Sequence, residues 1–388
     1  MKTIYFDNAA TTFTKPRSVY VECDRAMRKI AANSGRGSHF LSIAASEKIF
    51  ECRSRIGEAF GAPPENVIFT FNTTYALNMA IKGVAGRGDH FLISNLEHNS
   101  VLRPVSKLKR DGIIDYDVFD TYFYGNATPQ KVISDIKAKI RPSTKCIVCT
   151  HSSNICSCSP PIKEIGKLCH DRGINFIVDG AQGAGHRKID MTENNVDVLC
   201  LPAHKGLYGP QGVGVMILGN GILPDTVIEG GSGINSLIDR MPDDAPERYE
   251  AGTLPCQSIA GLCEGVKFVQ EYGYDRIEAH EKMLWNRLYD KLRHSPSVRI
   301  YDENHKGGIF LFNIKGMMSS EVGDFLSDRG ICVRCGYHCS ALAHKALLTN
   351  TDNCGGAVRV SFSVFNTPDE VDILAREILK IVNDAPRM

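Results

Sequence analysis

The chain has 388 residues, 43% of them hydrophobic, enough for a large core and more than one domain. Lys and Arg number 45 against 44 Asp and Glu, a formal net charge of +1, with no basic stripe. That balance argues against a nucleic-acid partner and against general attraction to an anionic membrane.

In chain order the N-terminus comes first, and it reaches Asp7 too soon to hold the apolar run of a signal peptide. No uninterrupted apolar stretch is long enough to cross a bilayer. The 14 cysteines are therefore expected as reduced thiols of a cytoplasmic protein. Phe69-Thr70-Phe71-Asn72-Thr73-Thr74 leads from a strand into a helical stretch beginning at Tyr75, and another strand precedes His98. Residues 146–150 read as a buried strand in which Cys146 and Cys149 are small hydrophobes. Residues 162–172 read as a helix with Ile162, Ile165, Leu168 and Cys169 on one face, ended by Gly173. Strands follow at 174–178, 196–201 and 213–218, an alternation that argues for a mainly parallel α/β sheet. After about residue 260 the texture changes: helices at 260–272 and 275–293, short strands at 309–314 and 357–362, and a last helix at 368–382. This reads as a smaller α+β domain.

Lys205 sits between an apolar strand and a Gly/Pro loop, where α/β sheets keep their ligand crevices. Desolvated there, its amine is freed for imine formation; an ordinary surface lysine in a turn fits the local context as well, and better. Asp179 ends the apolar run Phe176-Ile177-Val178 and is costly to desolvate unless something cationic, such as a protonated pyridine nitrogen, meets it. A helix N-cap is the equal alternative. Thr73 and Thr74 at a helix start suit a phosphate dianion, or simply a Thr cap. His98 has the flat ring to stack on a cofactor, or it closes a loop. Cys156/Cys158 and Cys335/Cys339 lack the paired short spacings of a structural zinc site, so no metal is expected.

Read together and in order, these segments resemble aminotransferase class V enzymes of the cysteine desulfurase and selenocysteine lyase type. The resemblance runs from Tyr5-Phe6-Asp7-Asn8-Ala9-Ala10-Thr11-Thr12 through Asn72-Thr73-Thr74, Glu97-His98-Asn99-Ser100, Ser153-Asn154 and Asp179-Gly180-Ala181-Gln182. It continues with His204-Lys205-Gly206, Ala251-Gly252-Thr253, Arg334-Cys335-Gly336-Tyr337-His338-Cys339 and Val358-Arg359-Val360-Ser361. It implies the type I fold of enzymes dependent on pyridoxal 5'-phosphate: a large domain with a mainly parallel seven-stranded sheet, and a smaller α+β C-terminal domain. The large domain is expected over 15–258, and the small one over 1–14 and 259–388.

The resemblance also implies roles. Lys205 would carry the cofactor as a Schiff base, Asp179 pair with the ring nitrogen, and His98 stack on the ring. Asn154 and Gln182 would approach the phenolic oxygen, while Thr73, Thr74 and His204 hold the phosphate. Thr253 would reach it from the other subunit of a homodimer. Arg359 would clamp the substrate carboxylate with two parallel hydrogen bonds, with Asn8, Ala9 and Arg334 at the same end. Cys339 would take sulfur from L-cysteine as a persulfide and pass it to an acceptor protein, its thiolate favoured by the neighbouring imidazole and guanidinium. L-selenocysteine as substrate, or a class V transaminase or β-eliminating lyase that does not need Cys339, are the alternatives. Three departures stand out. Pro202-Ala203 replaces a common Ser-Gly and loses a hydroxyl near the phosphate. Ile155-Cys156-Ser157-Cys158 replaces a Gly/Thr turn. Cys335 replaces a common Thr, either as a partner thiol for Cys339 or, the favoured reading, as a small substitution.

Overall fold

The computed structural model describes residues 3–35, 37–219, 221–234, 236–350 and 354–384. It begins with β1 (Ile4–Tyr5), α1 (Arg17–Lys29), α2 (Phe40–Phe60) and β2 (Val67–Thr70). Helix and strand then alternate: α3 (Thr73–Gly83), β3 (Asp89–Ser94), α4 (Asn99–Arg110), β4 (Ile114–Phe119), α5 (Pro129–Lys139), β5 (Thr144–Thr150), α6 (Ile162–Arg172) and β6 (Asn175–Asp179). β7 (Val198–Pro202) and β8 (Gly214–Leu218) follow. The rest comprises α7 (Cys256–Tyr272), α8 (Tyr274–Leu292), β9 (Val298–Tyr301), β10 (Ile309–Ile314), α9 (Ser319–Asp328), β11 (Ile331–Cys332) and β12 (Arg334–Gly336), then α10 (Ala341–Ala346), β13 (Ala357–Ser361) and α11 (Pro368–Asp384).

Seven strands form the large sheet in the order β2-β8-β7-β6-β5-β3-β4. β8 alone runs against its neighbours, antiparallel to both β2 and β7; the other pairings are parallel. This is the mainly parallel sheet that the alternation predicted, with the seven strands that the resemblance implied. β7 and β8 are buried along their whole length, as strands covered on both faces must be. α6 forms because its apolar residues recur on one face, where Ile162, Ile165, Leu168 and Cys169 are buried. Gly173 then ends it in the left-handed conformation.

A second sheet, β12-β13-β10-β9, is antiparallel, and β1 pairs in parallel with β11. The small sheet has its own core, with Trp285, Phe310, Phe312, Val360 and Leu374 among its members. The small domain was expected to resume at residue 259. In the structure α7 spans that point, and its Ile259, Leu262, Cys263 and Val266 join the core of the large sheet. No helix among the described residues is long and apolar enough to cross a membrane.

The strand order carries the functional consequence. The chain leaves β3 toward β4 on one side and returns as β5 on the other. Ligands of α/β sheets bind at such a reversal, beyond the carboxyl ends of the strands.

Candidate active site

A cleft of about 590 Å³ opens beyond those strand ends. His98 follows β3, Asn154 follows β5, Asp179 ends β6, and His204 and Lys205 follow β7. Thr73 and Thr74 reach it from the start of α3, Ala9 from the N-terminal segment, and Arg334 and Arg359 from the small sheet. Gln182 completes the expected set.

Lys205 is brought against the Asp179 turn by paired glycines. A Cβ on Gly206 would lie 2.3 Å from the Ala184 carbonyl, and one on Gly185 only 2.0 Å from the Gly206 carbonyl. Gly185 also needs its φ of +86°. The Lys205 loop is held from the other side by Thr11 and Thr12, whose hydroxyls both donate to the His204 carbonyl at 3.1 Å. Burial pushes the Lys205 amine down to about 8, aided by Arg359 and Arg334 and opposed by Asp179. Lys205 is half-buried and lines the cleft, not an open surface turn.

Asp179 is buried, and burial raises its carboxyl above the usual range against the Ala181 N–H and Lys205. Its Oδ1 accepts the Ala181 N–H at 2.9 Å. It does cap a local turn, but it also faces the cleft.

At α3 the cap is Asn72, whose side chain accepts from the Tyr75 N–H at 3.0 Å. Neither threonine is spent on capping. Thr73 Oγ1 is buried without a partner among the described residues, and so is His204 Nδ1. Leaving such atoms unpaired costs about 1–3 kcal/mol each. His98 meets both of its readings: it caps α4, accepting from the Ser100 N–H at 3.1 Å, and it lines the cleft. Burial, with Lys205, Arg334 and Arg359 nearby, pushes its imidazole down to about 4, so it is neutral at ordinary pH. His204 is likewise pushed down to about 4, by burial first.

The other end of the cleft is tied together. Arg359 is buried; its Nη2 meets Asp7 Oδ1 at 2.7 Å and its Nη1 donates to the Asn154 carbonyl at 2.9 Å. Arg359 Nε has no partner among the described residues. Arg334 stands opposite Arg359 across the β12–β13 pairing. Asn154 donates to the His338 carbonyl at 2.9 Å and accepts from Ser340 Oγ at 2.5 Å. Gln182 donates to the Ala9 carbonyl at 2.8 Å.

Not every expected residue lines this cleft. Asn8 donates to the Ser361 carbonyl and to Asn366, stitching the two ends of the described chain, and does not line the cleft. Thr253 lines a separate hollow of about 390 Å³ with Phe50, Arg53 and Glu250. Cys339 is exposed in the short connection between β12 and α10, where its carbonyl accepts the Asn99 N–H at 2.8 Å. The imidazole expected to favour its thiolate turns inward. His338 is buried, its Nδ1 3.1 Å from His344 Nε2, and burial drives it well below its ordinary range into the neutral form. Cys335 packs against Gly323 of α9, while Arg334 beside it in the strand lines the cleft. Burial raises the Cys335 thiol to about 11. Both features argue against a partner thiol for Cys339. Ala203 is buried in the core of the large sheet, Cys156 and Cys158 are buried thiols, and no metal-binding cluster occurs among the described residues. Asp7 and Ser340 were missed as site residues. Their partners lie far away in sequence, and no local signal points to them.

The aminotransferase class-V profile matches residues 4–374. A probable cysteine desulfurase of Methanothermobacter thermautotrophicus is 31% identical over 97% of this chain and 94% of its own length. A cysteine desulfurase of Haloferax volcanii is 28% identical over 97% of this chain and 88% of its length. Among solved structures, the apo cysteine desulfurase of Thermococcus onnurineus NA1 superposes with a TM-score of 0.88 at 30% identity, covering 98% of this chain and 95% of that one.

Proposed function

The chain belongs to the aminotransferase class-V family, whose members generally use pyridoxal phosphate, and we propose that it is a cysteine desulfurase. The observation that carries the reading is the convergence of Lys205, Asp179, Thr73 and His204 on one cleft, with Cys339 directly after His338 at its wall. The residues fit the cofactor. Thr73 Oγ1, at a helix start suited to a phosphate, and His204 Nδ1 are buried polar atoms without partners among the described residues. Asp179 is a buried carboxylate suited to a protonated ring nitrogen. When bound, pyridoxal phosphate supplies an electron sink for charge developing at the substrate α-carbon.

The chain's own residues supply the rest. Lys205, with its amine held near 8, anchors the cofactor and moves the proton at the substrate α-carbon. Neutral His98 would help hold the group, and Thr74 would join Thr73 at its phosphate. Arg359 takes the substrate carboxylate by exchanging its bond to Asp7 or by using Nε, with Arg334 adding positive charge. Cys339 Sγ bonds to the substrate sulfur as the carbon–sulfur bond breaks. L-Cysteine and the enzyme thiol thus become L-alanine and an enzyme persulfide, with atoms balanced. An acceptor protein then removes the sulfur.

A homodimer is part of the reading. Thr253 lies between hollows lined by the exposed Phe50, Phe71, Tyr75 and Ile228, an apolar face suited to a second copy that would receive Thr253 at its phosphate. A reducing cytoplasm suits the buried thiols. The test is product analysis with L-cysteine and a reductant. Alanine and sulfide in equal yield, abolished by Cys339→Ser, is the expected result. Pyruvate and ammonia would replace this reading with β-elimination, and turnover of L-selenocysteine that survives Cys339→Ser would make it a selenocysteine lyase.

A further inference from the structure

One side chain grips both neighbours of Cys339. The Asn154 amide donates from Nδ2 to the His338 carbonyl at 2.9 Å and accepts at Oδ1 from the Ser340 hydroxyl at 2.5 Å. Its backbone carbonyl receives Arg359 Nη1. A primary amide has two N–H donors, so one remains after the bond to His338, and Asn154 lines the cleft. The two bonds admit one orientation of the amide. Flipped, Oδ1 would face the His338 carbonyl, acceptor against acceptor. Ser340 is fully buried, and its hydroxyl also lies 3.4 Å from the His338 carbonyl.

The backbone here needs holding. His338 and Cys339 both have left-handed φ, +49° and +56°, a conformation that costs non-glycine residues about 1–3 kcal/mol each unless the surroundings impose it. Those surroundings are Asn154 on either side of Cys339, the Asn99 N–H on its carbonyl, and His344 against His338.

We propose that Ser340 is a positioning residue: by fixing the Asn154 amide, it presents an N–H to the phenolic oxygen of the cofactor and locks the backbone on both sides of Cys339. Cofactor and nucleophile are then placed by one amide. The proposal rests on the cofactor reading above and adds to it a residue that touches neither the cofactor nor the reacting sulfur.

The test is a double-mutant cycle on protein reconstituted with pyridoxal phosphate: wild type, Ser340→Ala, Asn154→Ala and both together. Two quantities are read in each. One is the pH midpoint of the cofactor's visible band; the other is the rate at which iodoacetamide modifies Cys339, followed by peptide mass spectrometry. Removing a donor from the phenolic oxygen strengthens that oxygen's hold on the neighbouring imine proton. Ser340→Ala is therefore expected to raise the midpoint by about half a unit and to speed alkylation about threefold. Both effects should vanish in the Asn154→Ala background, because Ser340 acts through that amide. An unshifted midpoint in Ser340→Ala overturns the proposal, and so do equal shifts in both backgrounds. A wild type with no visible band overturns the cofactor reading instead. The alkylation cycle, run without cofactor, then decides the Ser340–Asn154 link alone.

Discussion

The two ends of the cleft are built on opposite principles. At the end formed by α3, β6 and the Lys205 loop, polar groups are left unmatched. Thr73 Oγ1 and His204 Nδ1 have no partner among the described residues, and the Lys205 amine is pushed down by burial. At the end formed by the small sheet, groups are engaged with one another: Arg359 with Asp7, and Asn154 with His338 and Ser340. The first end gains bonds when a ligand arrives, which suits a resident cofactor. The second takes a ligand by exchange with Asp7 or at Arg359 Nε, which suits a substrate that comes and goes.

The largest expected effect lies at the unmatched end. Lys205→Ala should abolish the visible cofactor band and lower turnover about a thousandfold or more, measured by absorbance and alanine release. A variant retaining both would place the anchor elsewhere.

Next comes Glu97, beneath the same end. It is fully buried, its Oε1 accepts the Thr150 N–H at 2.6 Å and the Ser94 hydroxyl, and its Oε2 has no partner among the described residues. Burial, with Asp179 nearby, raises its carboxyl from the ordinary 4.5 to about 8; Cys149 is the other titratable group facing it. A raised folded pKa means that the stability Glu97 contributes is complete below pH 4.5 and is lost as pH rises through about 8. Glu97→Gln should leave stability nearly unchanged at pH 4.5 and gain on the order of 3 kcal/mol over wild type by pH 7 to 8. Urea midpoints of the two proteins across that range decide it; parallel pH profiles would mean Glu97 is ionised in the fold.

A smaller effect separates the two ends directly. Thr73→Val removes an unmatched hydroxyl without changing the side chain's shape. It should leave the cofactor-free protein at least as stable while weakening pyridoxal phosphate about tenfold, roughly 1.4 kcal/mol. Equilibrium dialysis and thermal melts supply both numbers, and a destabilised apo-protein with unchanged affinity would remove Thr73 from the phosphate site. Smallest of all is Cys335→Ser. With Cys335 against α9, the oxidant sensitivity of Cys339 should not change, and stability should move by less than about 1 kcal/mol. Mass spectrometry that finds both thiols lost together in wild type would reverse this.

The unmatched end was the more legible in the sequence. Lys205, Asp179, His98 and the Thr pair each sit where a buried strand stops, and strand ends show as breaks in apolar runs. The helix at 162–172 was readable to the residue because its apolar spacing and Gly173 agree. Three things were not readable. A buried strand looks the same in either direction, so the reversal of β8 is invisible. Asn72 took the cap that the Thr pair also suited, because all three are good caps and the fold chooses. The engaged end depends on pairings such as Arg359 with Asp7, 352 residues apart, and no local pattern announces them. His338 likewise gives no hint in its neighbours that it turns inward.

The stitch by Asn8 sets an order in time. Its amide meets the Ser361 carbonyl across 353 residues, so it cannot form until β13 has been made. Domains tend to fold as units while the chain is still growing. All seven strands of the large sheet precede α7, so Lys205 and Asp179 can be in place on a nascent chain that still lacks Arg359. On the reading proposed above, the residues that would hold the cofactor are translated well before Arg359, and the group that would clamp a substrate carboxylate comes only with one of the last strands.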